Sequence, residues 1–364
     1  MGRNGRIGAV VAVLLVAGWS LWSLRQKPGS IELIEEDGND AGAPLQKTPI
    51  GKATRVPTVD GGVPEARTDA GQELAAFGWG SGKNDLGHSR PDEANPEAPM
   101  SLTVDALGQV WILDQVNERL VKLDRNGKVI GTAPITVQSA QDVVIAPDGT
   151  VMVLDRLVDK TIALSGPDGK PRGELPILGK GLEEGGAATG VFSDGKDVFV
   201  EREHGDSVKL GSTAGEINKE RPEVPGRPAQ DGKTFLTAGI VDKVTGTVIV
   251  TAIDREPQQH RFTRQLSLGQ PLVGLNALDT DRMGVIYLGA IIELPSSTPE
   301  SPVFSIAVLC LDPRDGMPLG QTRFAANSMP EETFRELTVL PEGGVLFLER
   351  TVNGARVVRY ACGN

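Results

Sequence analysis

Histidine occurs three times and cysteine twice in this chain of 364 residues, aromatic side chains make up 4%, and no run of lysine or arginine is present. His88, His204 and His260 stand far apart in polar contexts (Leu-Gly-His-Ser-Arg, Arg-Glu-His-Gly-Asp and Gln-Gln-His-Arg-Phe). A zinc centre of clustered imidazoles is therefore not expected, and all three read as exposed loop histidines. The Gly-x-Ser-x-Gly elbow of a serine hydrolase is missing too, so no nucleophile constellation stands out. With so few large rings, Val, Ile and Leu must carry the core, as they do in half-buried strands. The formal net charge of −11 repels nucleic-acid phosphate and anionic lipid, and nucleic acid is not an expected partner.

What is present is a repeated phrase: apolar run, turn, glycine, apolar run. It recurs six times between Ser101 and Cys362. The fullest copies are Leu102-Thr-Val-Asp-Ala-Leu-Gly108-Gln-Val-Trp-Ile-Leu-Asp114 and Val143-Val-Ile-Ala-Pro-Asp-Gly149-Thr-Val-Met-Val-Leu-Asp155. Later copies keep the middle, at Gly195, Gly246, Gly284 and Gly344, and the spacings of 41, 46, 51, 38 and 60 residues suit one propeller blade plus insertions. A unit of three or four short strands cannot bury both faces alone; stacking units about an axis buries them and leaves short edges. The expected fold is all-β, a six-bladed β-propeller over 73–364. Asn126-Gly127, Asp148-Gly149, Asp168-Gly169, Asp194-Gly195 and Asp315-Gly316 supply the positive φ of tight hairpins. Counted this way the last blade has three strands, and Glu73-Leu-Ala-Ala-Phe-Gly-Trp79 is the candidate for its fourth, closing the ring from the amino side.

Ahead of the repeats, residues 1–27 hold Arg3 and Arg6, then eighteen uncharged residues from Ile7 to Leu24, then Arg25 and Lys27. As a helix that run reaches roughly 27 Å, enough for a bilayer core, with Trp19 and Trp22 near its outer end. A single-pass transmembrane signal anchor is expected, with secretion after signal cleavage as the alternative. Residues 28–72, rich in Gly, Pro, Asp and Glu, read as a disordered acidic linker that holds the propeller off the membrane. The expected location is a bacterial inner membrane with the propeller in the periplasm.

Gly78-Trp-Gly-Ser-Gly82, Pro99-Met-Ser-Leu-Thr-Val-Asp105, Gly108-Gln-Val-Trp-Ile-Leu-Asp114 and Asn117-Glu-Arg119-Leu-Val-Lys-Leu-Asp124 resemble the NHL repeat. Blade one fits well, blade two keeps its strands and Asp155 but loses Asn-x-Arg, and the other four fit in outline. The resemblance implies a six-bladed propeller and no single activity, since NHL-like propellers serve as binding platforms and related folds as lyases and lactonases.

Lactonase-like relatives hold a divalent cation at one channel mouth with oxygen ligands. Aligned on the glycine turns, the equivalent positions are Ser101, Asp142, Ala188, roughly Gly239, Asn276 and Glu336, with Arg335 beside the last. Asp142, Asn276 and Glu336 would be the ligands of a cation such as calcium in a metal-dependent lactonase or hydrolase. Against that set, Arg335 opposes a cation, and the competing expectation is a channel lined by Asp142 and Arg335 paired with each other or with water. The reading placed first is a scaffold without a cofactor that binds an envelope protein or glycan through its face loops. The longest insertions, Gly215–Pro228 and Glu293–Pro302, are the first candidates for that contact. A Cys310–Cys362 bridge would close a loop of about fifty residues, worth roughly 4 kcal/mol. Both cysteines fall in third strands of neighbouring blades, though, whose faces pack about 10 Å apart. Two buried free thiols are expected unless Cys362 bends past the end of its strand.

Overall fold

A computed structural model describes residues 67–68, 71–295, 297–298 and 301–362. The expected anchor and nearly all of the expected linker lie outside these residues. The described chain forms six sheets, four of four strands and two of five, antiparallel except for one two-residue parallel strand in each of the larger two, and the sheets are the blades of a β-propeller. In blade one the strands run Ser101–Val104, Val110–Asp114, Arg119–Leu123 and Val129–Pro134 from the axis outward. Blade two repeats this with Asp142–Ile145, Val151–Asp155, Thr161–Ser165 and Pro171–Pro176. The second strands Val110–Asp114 and Val151–Asp155 are buried at every residue. A strand sandwiched between neighbouring blades has no solvent face, which is why these runs show no polar alternation.

The turn chemistry repeats with the blades. Asp105 Oδ1 accepts from the amides of Leu107 and Gln109, Asp231 Oδ1 from Lys233 and Thr234, and Asp281 Oδ1 from Met283 and Val285. An aspartate that folds back on its own turn leaves the following glycine to take positive φ, as Gly108, Gly149 and Gly195 do.

Blade four departs from the sequence reading. Its inner strand is the two-residue Arg227–Pro228, followed by Thr234–Asp242, Thr247–Arg255 and Gln258–Ser267. The turn between first and second strands is at Gly232, not Gly246, and Gly239 lies in the second strand, away from the inner ring. The supposed insertion Gly215–Pro228 contains the outer strand of blade three, Glu223–Val224, and that inner strand. A two-residue strand carries no periodic signal, whereas the long hairpin around Gly246 does.

Blade six closes the ring. Gln72–Trp79 pairs antiparallel with Gly354–Tyr360, completing the sheet begun by Leu337–Val339 and Val345–Thr351. Arg67–Thr68, inside the expected linker, pairs parallel with the outer strand of blade five, Pro318–Ala325. Cys310 and Cys362 form a disulfide with Cα atoms 6.3 Å apart, correcting the expectation of free thiols. Gly354–Tyr360 ends before Cys362, so the tail bends back to blade five, the one geometry that shortens the inter-blade distance enough.

Apolar clusters fill the interfaces between blades one and two, two and three, four and five, five and six, and six and one. The interface between blades three and four is built differently, on two ion pairs, Arg227–Glu201 and Arg255–Asp194. Each of these arginines also lies over a phenylalanine, Arg227 over Phe192 and Arg255 over Phe235.

Candidate functional site at the channel mouths

The six inner strands surround a channel closed in its middle. Above, where the inner strands begin, is a cavity of about 270 Å³; below, beside the glycine turns, is one of about 160 Å³. Phe192, Asp279, Arg335 and Thr338 line both, so these side chains form the septum between them.

Asp142 opens the inner strand of blade two, and its carboxylate is fully buried. It accepts from Ser101 Oγ (2.7 Å), the amides of Val143 (2.9 Å) and Val191 (3.1 Å), and Arg335 Nε (2.9 Å) and Nη2 (2.5 Å). A carboxylate offers about four lone-pair sites, so five donors saturate it. Arg335 reaches it from the connecting segment two residues before blade six's inner strand, donates also to the Val191 carbonyl, and lies over the Phe192 ring at 4.9 Å. Burial acts against the guanidinium's charge, but Asp142, helped by Asp279 and Glu201, holds its pKa above the ordinary value. The pairing weighed from sequence is therefore made, and it joins blades two, three and six across the axis.

A second pair stands beside it. Glu201 is the penultimate residue of the second strand of blade three, Asp197–Arg202, at the position of Asp114 and Asp155 in the first two blades. Those aspartates bind local groups: Asp114 the Gly87 amide, Asn117 and Arg119, and Asp155 the amides of Ser139, Leu157 and Val158. Glu201 instead takes both arms of Arg227, Nη2 at 3.1 Å and Nε closer still, with Thr189 Oγ1 at 2.8 Å. Burial pushes the Glu201 carboxyl up, but Arg227's charge and hydrogen bonds from His204, Arg227 and Thr189 outweigh it and hold it at about 2. At the septum, Asp279 is pushed up by burial despite hydrogen bonds from Gln230 and Thr280.

The third group is Asn276 and Glu336. Asn276 Nδ2 donates to Glu336 Oε1 at 3.2 Å, and Asn327 Nδ2 to Oε2 at 2.8 Å. A Cβ at Gly289 would stand 2.6 Å from Asn276 Oδ1, so any larger residue there would displace the Asn276 side chain. All three residues weighed as cation ligands line the upper cavity. Asn276 and Glu336 touch, while Asp142 is spent on Arg335. Among the described residues no group of three or more His, Cys, Asp and Glu side chains is placed to hold a metal.

The histidines divide. His204 is exposed, with 68% of its side chain accessible, and rims the upper cavity on a turn whose residues Glu203 and His204 both have positive φ. His260 is exposed but lies in a strand, Gln258–Ser267, not a loop. His88 is no free loop histidine: it stacks on Trp79 at 4.6 Å, and its Nε2 is 2.8 Å from Glu331 Oε1, which also takes Arg90.

Sequence reasoning missed Glu201, Arg227, Phe192 and Asp279. Glu201 was legible, six residues after Gly195 as Asp114 is after Gly108. Arg227 was hidden in a proline-rich stretch read as an insertion. The Asn-x-Arg element of blade one does structural work: Asn117 and Arg119 bond the carbonyls of Gly80, Gly82 and Asp85, pinning the segment that follows the closing strand.

Fold and site together define a six-bladed β-propeller with a plugged, cross-paired channel. No family model matches the chain, and no curated protein matches its sequence. Among solved structures it is similar to a member of the DUF4221 family from Bacteroides vulgatus, at 12% identity, TM-score 0.47, covering 80% of this chain and 96% of that one. Streptogramin B lyase gives 12% identity, TM-score 0.40 and coverage of 79% and 97%. BamB from Moraxella catarrhalis gives 12%, 0.38, and 79% and 99%.

Proposed function

We propose that the protein is a membrane-tethered, extracytoplasmic propeller of NHL-like type that works by binding, presenting its loop faces to an envelope protein or glycan. The observation that carries this reading is the cross-pairing of the channel. Asp142 is saturated by Arg335 and its neighbours, and Glu201 is held by Arg227. Buried charges paired in this way hold blades in register and are not available as acids, bases or nucleophiles. The disulfide supports export, since such bonds persist in oxidising compartments. Photo-crosslinking in the intact envelope tests the reading: a photoreactive residue at an upper-face loop position such as Leu157 captures a discrete partner. Only diffuse background from every loop position refutes it.

A second reading, a metal-dependent lactonase or hydrolase, is favoured by one observation, the contact between Asn276 and Glu336 inside the upper cavity. Elemental analysis of the purified chain after dialysis without chelator decides it: one equivalent of calcium or another divalent ion, lost in Glu336→Ala, supports that chemistry.

A further inference from the structure

We propose that the upper cavity receives a basic side chain, a lysine or arginine, of a protein partner, with Glu336 as its counter-charge. This rests on the binding-scaffold reading and names the partner's chemistry. Three carboxylates line the cavity. Asp142 is saturated by five donors, and Asp279 is engaged at the septum by Gln230 and Thr280. Glu336 accepts from two neutral amides, those of Asn276 and Asn327, which leaves about two of its four lone-pair sites for further donors. Two cations stand near it. Arg335 is turned to Asp142, and buried Arg350 spends its terminal nitrogens on the Glu331 carbonyl and Thr333 Oγ1.

The walls suit a long aliphatic stem that ends in a charge, because Leu275, Ile291 and Phe334 line the same space. About 270 Å³ is room for one such side chain and leaves none for a folded element.

The surrounding face points to the same partner. Among the described loops at this end are 156–160, 177–187, 202–206 and 326–336, the last two giving His204 and residues 333–336 to the cavity wall. They expose Asp159, Glu183, Glu184, Glu203, Asp206 and Glu332 against the lysines Lys160 and Lys180. One of the six, Glu332, is 3.7 Å from Arg156. Beside them Leu157 and Val158 are 54% and 53% exposed. An acidic rim with an apolar shoulder steers and seats a basic, partly apolar segment. The closing strand runs up blade six, from Gln72 opposite Arg359 to Gly78 opposite Gly354.

The test uses the full chain in detergent and Nα-acetyl-lysine methylamide as probe, with its Nε-acetylated analogue as the neutral control, read by saturation-transfer NMR. Transfer to the lysine methylenes is expected, with binding weakened roughly 10-fold or more in Glu336→Gln, because the donor would lose a charged acceptor. Leu275→Arg, which places a guanidinium on the wall of the same cavity and removes no hydrogen-bond partner of Glu336 or Arg350, is expected to block the probe, and serves if Glu336→Gln folds poorly. Equal binding of the neutral analogue, or undiminished binding in both variants, overturns the proposal. Photo-crosslinks from position 157 that persist unchanged in Glu336→Gln overturn the basic anchor while leaving partner docking intact; absence of crosslinks from every face overturns docking itself.

Discussion

Replacing Glu201 by glutamine isolates the link between blades three and four. The carboxylate is 1% exposed and takes both arms of Arg227. A carboxyl lowered from its ordinary 4.5 to about 2 contributes about 3 kcal/mol of folding stability at neutral pH. Because the folded value lies below the unfolded one, that contribution is complete above roughly pH 5 and is lost as the pH falls through 4.5 towards 2. Glu201→Gln keeps one acceptor for Arg227 but removes the charge, and is expected to lower stability by about 3 kcal/mol at pH 7. For a domain of this size that corresponds to a melting temperature lower by about 5 °C. The assay is urea unfolding of wild type and variant between pH 7 and pH 2.5. The gap between the two curves should close as the pH falls. Arg227→Met should cost more than Glu201→Gln, since it leaves a buried carboxylate unpaired, and the double variant should recover part of the loss. A gap below about 1 kcal/mol at pH 7, or one independent of pH, refutes the assignment of Glu201 as a buried charged link.

Three further outcomes follow from the same geometry. Cys310→Ser should destabilise the fold by up to about 4 kcal/mol, the chain-entropy value for the 52-residue separation, and make wild type and variant equal in reductant; unfolding midpoints with and without dithiothreitol check this. Arg221 is buried and donates to the carbonyls of Lys180, Pro176, Leu178 and Ile177, with no carboxylate within ion-pair distance among the described residues, so burial lowers its pKa. Arg221→Ala should therefore cost about 2–4 kcal/mol and loosen residues 177–182 in hydrogen exchange, with no rescue by lysine, which cannot reach four carbonyls at once. Deleting the chain through Trp79 removes the partner of Gly354–Tyr360 and should give concentration-dependent aggregation in light scattering, because the last blade is left with an unpaired edge.

The blade repeat, the hairpin turns and the closing strand were legible because each is written locally. Val110–Asp114 and Val151–Asp155 are apolar runs bounded by Asp and Gly turns, and Gly108 and Gly149 take the positive φ that those turns need. Gln72–Trp79 was found by elimination, since a ring with one three-strand blade needs a fourth strand from the other end. Blade four was misread because its inner strand, Arg227–Pro228, is too short to show a period, and the stronger apolar hairpin beyond it took its place.

The site depended on contacts that no local pattern encodes. Glu201 meets Arg227 across 26 residues, Asp142 meets Arg335 across 193, and His88 meets Glu331 across 243. Each pair forms because closing the ring brings strands remote in sequence to one axis or one seam, where a buried charge must find a partner. Sequence alone determined that this chain builds a six-bladed ring, since periodicity and turn chemistry act within a dozen residues. Only the tertiary structure decided which charges cancel at the axis, whether the two cysteines join, and which carboxylate, Glu336, keeps capacity for a ligand, since those depend on distances that blade stacking and ring closure create.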